Sequence, residues 1–169
     1  MSNLFQGSSD GLLEEEKLIF GNGNILFSEG DLSNYLYLIK KGKVLLVKEE
    51  KGHLRKIEIL KNKEIIGLSS LISDKKQVYT SFAVGRVEVI KVKKSEIKGI
   101  LAKCEPWLMN LMKVICDRLN KTIEILENHH LLEEINFQDD DLGGLSTEEL
   151  YINLENYREE KGKKETERF

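Results

Sequence analysis

Residues 64–84 read EIIGLSSLISDKKQVYTSFAV, and this stretch decides the fold. An apolar strand end (Ile65, Ile66) meets a glycine (Gly67) and two small hydroxyl residues (Ser69, Ser70). An apolar pair (Leu71, Ile72), a polar loop over residues 73–77 and an alternating strand over residues 78–84 follow. A strand, a glycine and a short helical turn can form an anion cradle. Glycine lets the backbone approach a ligand, and the free N–H groups of the first helical turn point at it. The plainer reading is that Gly67 only bends the chain between two barrel strands, as isolated glycines in strand patterns do.

Working outward, short apolar runs alternate with turn signals. Residues 17–20 and 24–28 read as strands around the Gly21-Asn22-Gly23 turn, and Glu29-Gly30-Asp31 is a second turn. Residues 34–39 and 43–47 are apolar strand runs hinged at Lys41-Gly42. Residues 49–53 form a polar hairpin tip. Residues 54–60 alternate, with Ile57 and Ile59 inward, and residues 85–92 give a last strand. Turns every 8 to 12 residues argue for a β-sandwich, jelly roll or barrel.

The period then changes. Residues 94–101 read as a short helix, and Pro106 suits the first turn of a long one. Leu108, Leu111, Met112, Ile115, Leu119, Ile123 and Leu126 recur at steps of three and four, giving an amphipathic helix over residues 106–133. A small barrel cannot cover its whole length. The leftover stripe fits packing on the barrel or a partner helix, most simply the same helix of a second copy.

Upstream, residues 1–16 read as a leader, with a short helix over residues 12–17. Downstream, residues 134–169 read as an acidic, partly disordered tail. Residues 138–169 carry ten acidic and five basic residues, a net of −5. Against −3 for the whole chain, the remainder is +2. A helix start is expected at Ser146 or Thr147, with Leu150, Leu154 and Tyr157 as a narrow apolar stripe that could dock on the body or on a partner. Asp139-Asp140-Asp141 does not make a calcium loop, because that register puts Leu150 where a bidentate glutamate is needed.

With 169 residues, 40% hydrophobic and 33% charged, one soluble domain with an appendage is expected. The net charge of −3 gives no overall pull toward nucleic acid or anionic lipid. No apolar run approaches the ~20 residues of a membrane helix, and the first ten residues lack signal-peptide character. Cys104 and Cys116 lack metal-site spacing and read as buried, reduced thiols, so cytoplasmic residence is expected. His53, His129 and His130 form no ligand set by spacing, and no nucleophile–base pair stands out. No metal or cofactor and no enzymatic activity are expected.

Residues 17–133 resemble the cyclic nucleotide-binding domain of the bacterial catabolite activator family. The resemblance rests on residues 24–31 (NILFSEGD) with their Glu-Gly-Asp turn, residues 35–44 (YLYLIKKGKV), Ile65-Ile66-Gly67 and the two helices over residues 94–126. It implies a mainly β fold with added helices: a double-stranded β-helix or jelly-roll barrel, then a short helix and a long dimerisation helix. It also places a phosphate-binding cassette at Gly67, Leu68, Ser69, Ser70, Val78, Tyr79 and Thr80. In the family a glutamate follows the cassette glycine and accepts the ribose 2′-hydroxyl; here Leu68 stands there. The family's phosphate-pairing arginine and the serine or threonine after it fall on Val78 and Tyr79, or on Gln77 or Thr80 if the register slips by one. Losing two charge-assisted hydrogen bonds costs about 3–6 kcal/mol, or roughly 10²–10⁴ in affinity. Lys75, Lys76 and Arg86 are the replacement cations that the sequence offers, although loop lysines are ordinarily solvated.

The expected function is therefore a dimeric, non-enzymatic regulatory module with a degenerate cassette and a protein partner for the long helix or tail. The alternative is a receptor that binds cAMP, cGMP or another nucleotide in a noncanonical pocket. The family's transcription factors continue into a basic helix-turn-helix. The acidic stretch here is too short for one, so no DNA binding is expected.

Overall fold

The computed structural model describes residues 16–32, 34–135 and 142–166. Residues 1–15 of the expected leader and the Asp139-Asp140-Asp141 run lie outside them. Among the described residues seven strands form one antiparallel sheet: β1 (Glu16–Phe20), β2 (Ile25–Phe27), β3 (Tyr35–Glu50), β4 (His53–Leu60), β5 (Ile65–Ile66), β6 (Thr80–Lys93) and β7 (Glu133–Glu134). The order is β1-β6-β3-β4-β7, with β2 on β6 and β5 on β3. The sheet rolls on itself, as the alternating apolar pattern and frequent turns predict.

Two long strands replace four expected ones. The sequence suggests a hinge at Lys41-Gly42, but β3 runs through it and absorbs the break as register shifts against β6 between Ile39 and Lys43. Gly42 has φ 98°, and a Cβ there would come within 2.6 Å of the Arg86 carbonyl oxygen. That geometry admits only glycine. Residues 78–84 and 85–92 likewise join in β6, which begins at Thr80.

Alternate residues of these strands serve two layers. Val44, Leu46, Ala83 and Val87 belong to the inner core with Phe27, Tyr37, Ile39 and Tyr79. Leu45, Val47, Phe82 and Val84 belong to an outer core. Ile57 and Ile59 do not share the inner face as expected. Ile57 packs on the inner core and Ile59 on the outer one. The cause is a bulge: Leu46 pairs with Glu58 and Val47 with Lys56, leaving Ile57 as the extra residue.

Among the described residues four helices cover the roll: α1 (Leu68–Ser73), α2 (Lys94–Leu101), α3 (Pro106–Asn128) and α4 (Thr147–Thr166). Pro106 starts α3, where its missing N–H costs nothing. The helix stops at Asn128, short of the expected residue 133. His130 turns left-handed at φ 54°. The N–H of Leu131 reaches the Leu126 carbonyl at 2.8 Å, and that of His130 reaches Glu127 at 3.0 Å. These two bonds close the helix in the pattern that glycine usually provides. The chain then pairs β7 with β4, where Arg55–Glu134 and Lys56–Glu133 ion pairs lie at 2.6 and 3.1 Å.

The expected short tail helix is the 20-residue α4. Ser146 and Glu149 cap it reciprocally: the Glu149 N–H donates to Ser146 Oγ at 3.2 Å, and the Ser146 N–H donates to Glu149 Oε2 at 2.9 Å. Leu142, Leu145, Leu150 and Leu154 are buried against the outer core. Burial of this stripe holds a helix whose composition is otherwise highly charged.

Candidate functional site

Gly67 caps α1 with φ 87°. A Cβ there would sit 3.3 Å from both the Tyr35 carbonyl oxygen and Gln77 Nε2, so glycine is required by conformation and by space. The residues that follow point in different directions. Leu68 is half-buried with Leu36, Leu71 and Cys116 beneath α2 and α3. Val78 packs against the inner core. Tyr79 is buried there too, its ring centroid 5.7 Å from that of Phe27, which lies 6.1 Å from Tyr37. Burial raises the Tyr79 hydroxyl above its ordinary pKa, and the nearby Gly67 backbone opposes the rise. The phenol thus lies beside the Gly67 backbone, where the cradle begins.

The hydroxyl residues are used internally. Ser69 Oγ donates to Asn120 Oδ1 of α3 at 2.8 Å. Thr80 Oγ1 accepts the Glu29 N–H at 3.0 Å and lies 3.3 Å from Ser28 Oγ. Ser70 Oγ and Asn120 Nδ2 are buried, with no hydrogen-bond partner among the described residues.

The replacement cations expected from sequence face elsewhere. Lys75 pairs with Asp117 at 2.8 Å, Arg86 Nε lies 3.6 Å from Glu88, and Lys76 is exposed. The cation that does reach the cassette is Lys48, whose side chain is only 8% exposed. Its ammonium donates to the Val78 carbonyl at 3.2 Å and pairs with Glu29 at 2.7 Å and Glu127 at 3.2 Å. Burial alone would lower the Lys48 pKa; the two carboxylates outweigh it and raise it. One ammonium between two carboxylates leaves a net negative charge beside the cassette, which disfavours an entering phosphate. The alternation Val44, Leu46, Lys48 places Lys48 on the inner face, so a signal for it was present in the sequence. The step Cys116, Asn120, Ile123 does the same for Asn120 on α3.

Two clefts open elsewhere. One of about 440 Å³ is lined by Asn34, Tyr35, Lys93, Lys94, Ser95 and Lys98. Another of about 240 Å³ lies between α1, α2 and α3. Neither is lined by residues 67–70 or 78–80.

The rolled sheet, the glycine-capped α1 and the two following helices define a cyclic nucleotide-binding fold. The family model for the cyclic nucleotide-binding domain matches residues 17–104, and the chain belongs to that family. It is similar to the EAL enzyme Bd1971. Against the cGMP-bound form the identity is 27% and the TM-score 0.59, over 62% of this chain and 28% of that one. Against the form with cAMP and cyclic-di-GMP the values are 26% and 0.61, over 63% and 28%. The chain thus spans under a third of Bd1971's length. The sensor domain of the transcriptional regulator DNR from Pseudomonas aeruginosa shares the fold at 17% identity and a TM-score of 0.55, over 66% of this chain and 75% of that one. No curated protein matches the chain. Among the described residues no helix is long and apolar enough to cross a membrane.

Proposed function

We propose that this domain is a non-enzymatic regulatory or interaction module whose phosphate-binding cassette is closed by its own side chains. The observation that carries the reading is Tyr79, buried in the inner core against Phe27. Leu68 and Val78 support it by supplying apolar surface where the family resemblance expects a carboxylate and a guanidinium. An anion desolvated there without a free cation costs several kcal/mol. Signalling then runs through surfaces. Trp107, Leu111, Ile115, Leu119 and Ile125 of α3 remain exposed, and their helical spacing fits pairing with α3 of a second copy. Sedimentation tests the pairing: a dimer for the wild type and a monomer for Ile115→Glu are expected, and a wild-type monomer would refute it.

The second reading, a nucleotide receptor, is favoured by the likeness to Bd1971 in its cGMP-bound form. It requires Tyr79 to leave the inner core. Thermal unfolding with and without millimolar cAMP, cGMP and cyclic dinucleotides separates the two. A ligand at a hundredfold excess over its dissociation constant adds about 2.7 kcal/mol, or roughly 5–10 °C for a domain of this size. The closed cassette predicts no shift, and a shift of that size with any nucleotide establishes the receptor.

A further inference from the structure

Asp31 is a buried carboxylate in the turn after β2, and its cation comes from 130 residues away in the chain. Its Oδ2 accepts the Ser28 N–H at 3.0 Å and the Tyr157 hydroxyl at 2.7 Å. Its Oδ1 contacts the Lys161 ammonium. Tyr157 and Lys161 are one turn apart on α4, so both reach the turn from the same helix face. Burial, then the bond to Asp31, pushes the Tyr157 hydroxyl above its ordinary range, as expected of a phenol donating to a carboxylate away from water.

The same turn holds the arm of the cassette. The Gly30 N–H donates to the Gln77 carbonyl at 2.8 Å, and the Gln77 N–H donates to the Asp31 carbonyl at 2.9 Å. Glu29 is tied to Thr80 through its N–H and to Lys48 through its carboxylate, and Lys48 in turn holds the Val78 carbonyl. Residues 77–80 therefore cannot move outward without residues 29–31. Those in turn cannot move without disturbing Tyr157 and Lys161.

We infer that α4 is an intramolecular clamp on the cassette arm, holding residues 29–31 and through them residues 77–80 in the closed arrangement. This deepens the reading of the cassette as closed and rests on it for its functional meaning. Coupling of this kind is reciprocal: whatever releases α4 loosens the arm, and whatever opens the arm weakens the hold on α4. The leucine stripe of α4 docks the helix on the outer core, while its Tyr157–Lys161 turn transmits that docking to the inner face.

The test is hydrogen exchange on the full chain, comparing wild type with Tyr157→Phe/Lys161→Met. This double substitution keeps the leucine stripe, so α4 stays docked. The clamp predicts that amides of residues 77–80 and 28–31 exchange faster by about tenfold, within the usual range of coupling between sites. Faster exchange confined to α4, or no change anywhere, would overturn it. Arg158→Ala removes an exposed ion pair to Glu49 from the same turn of α4 and serves as the control. It should leave residues 77–80 unchanged, and an equal rise there would also overturn the inference. The exchange readout needs no nucleotide. A wild type that binds cGMP would refute the closed cassette without touching the clamp, and the converse also holds.

Discussion

Leu45 and Leu46 are neighbours in β3 and serve opposite layers. Leu45 pairs with Phe82 and faces the outer core that α4 covers. Leu46 belongs to the inner core that the cassette closes. The outer layer is mainly apolar packing between a sheet face and a helix stripe, with the Tyr151 and Tyr157 hydroxyls bonded to Gly52 and Asp31 at its edge. The inner layer is apolar at its centre but retains polar groups at its edge: Lys48 between two carboxylates, Ser69 bonded to Asn120, and Ser70 with no partner among the described residues. The comparison separates two kinds of core. One is filled mainly by side chains that exclude water. The other has the outline of a binding site whose donors have been turned onto the protein itself.

The largest effect should come from the outer layer. Leu150 of α4 is fully buried against the sheet, and Leu150→Ala should lower the unfolding free energy by about 2–5 kcal/mol in denaturant titrations. A loss below about 1 kcal/mol would mean that α4 only rests on the sheet and that the two layers are not comparable cores.

The next effect belongs to the inner layer and appears in alkali. Burial, with neighbouring acidic groups, holds the Tyr37 hydroxyl at about 12. A pKa raised on folding stabilises the protein fully below the unfolded value, and that stabilisation is lost as pH rises through the folded value. Stability should therefore fall above pH 10, with Tyr37 contributing about 2 kcal/mol of loss by pH 12. Tyr37→Phe should flatten that slope in pH-dependent denaturant titrations. An unchanged slope would show that Tyr37 titrates as an exposed phenol.

The smallest effect is the sharpest on chemistry. Ser70→Ala removes a buried hydroxyl with no partner among the described residues, so it should be neutral or stabilising by up to about 1 kcal/mol. A clear destabilisation would mean that the hydroxyl is satisfied, and that the inner layer is as complete as the outer one.

Much of this architecture is readable in the chain itself. The turn glycines, the alternating runs, the α2 boundaries and the start of α3 at Pro106 follow from local patterns. Face assignments after a bulge do not, because one extra residue at Ile57 flips every side chain beyond it. Lys48 and Asn120 lay on buried faces by simple periodicity, but polar residues in apolar stripes are easily read as surface. The bonds from Asp31 to Tyr157 and Lys161 could not be read at all. They join segments more than 120 residues apart, and no local rule links a turn to a distant helix.

Calorimetric titration of cGMP and cAMP shows whether the cassette is closed by its own side chains. The titrations use the wild type and the variant Leu68→Glu/Val78→Arg/Tyr79→Ser, which restores both charges and removes the phenol. A closed cassette gives no saturable binding to the wild type at millimolar nucleotide. The closed cassette predicts an affinity gain on the order of 10²–10⁴ in the variant. Saturable binding to the wild type with a micromolar dissociation constant would contradict it, whatever the variant does.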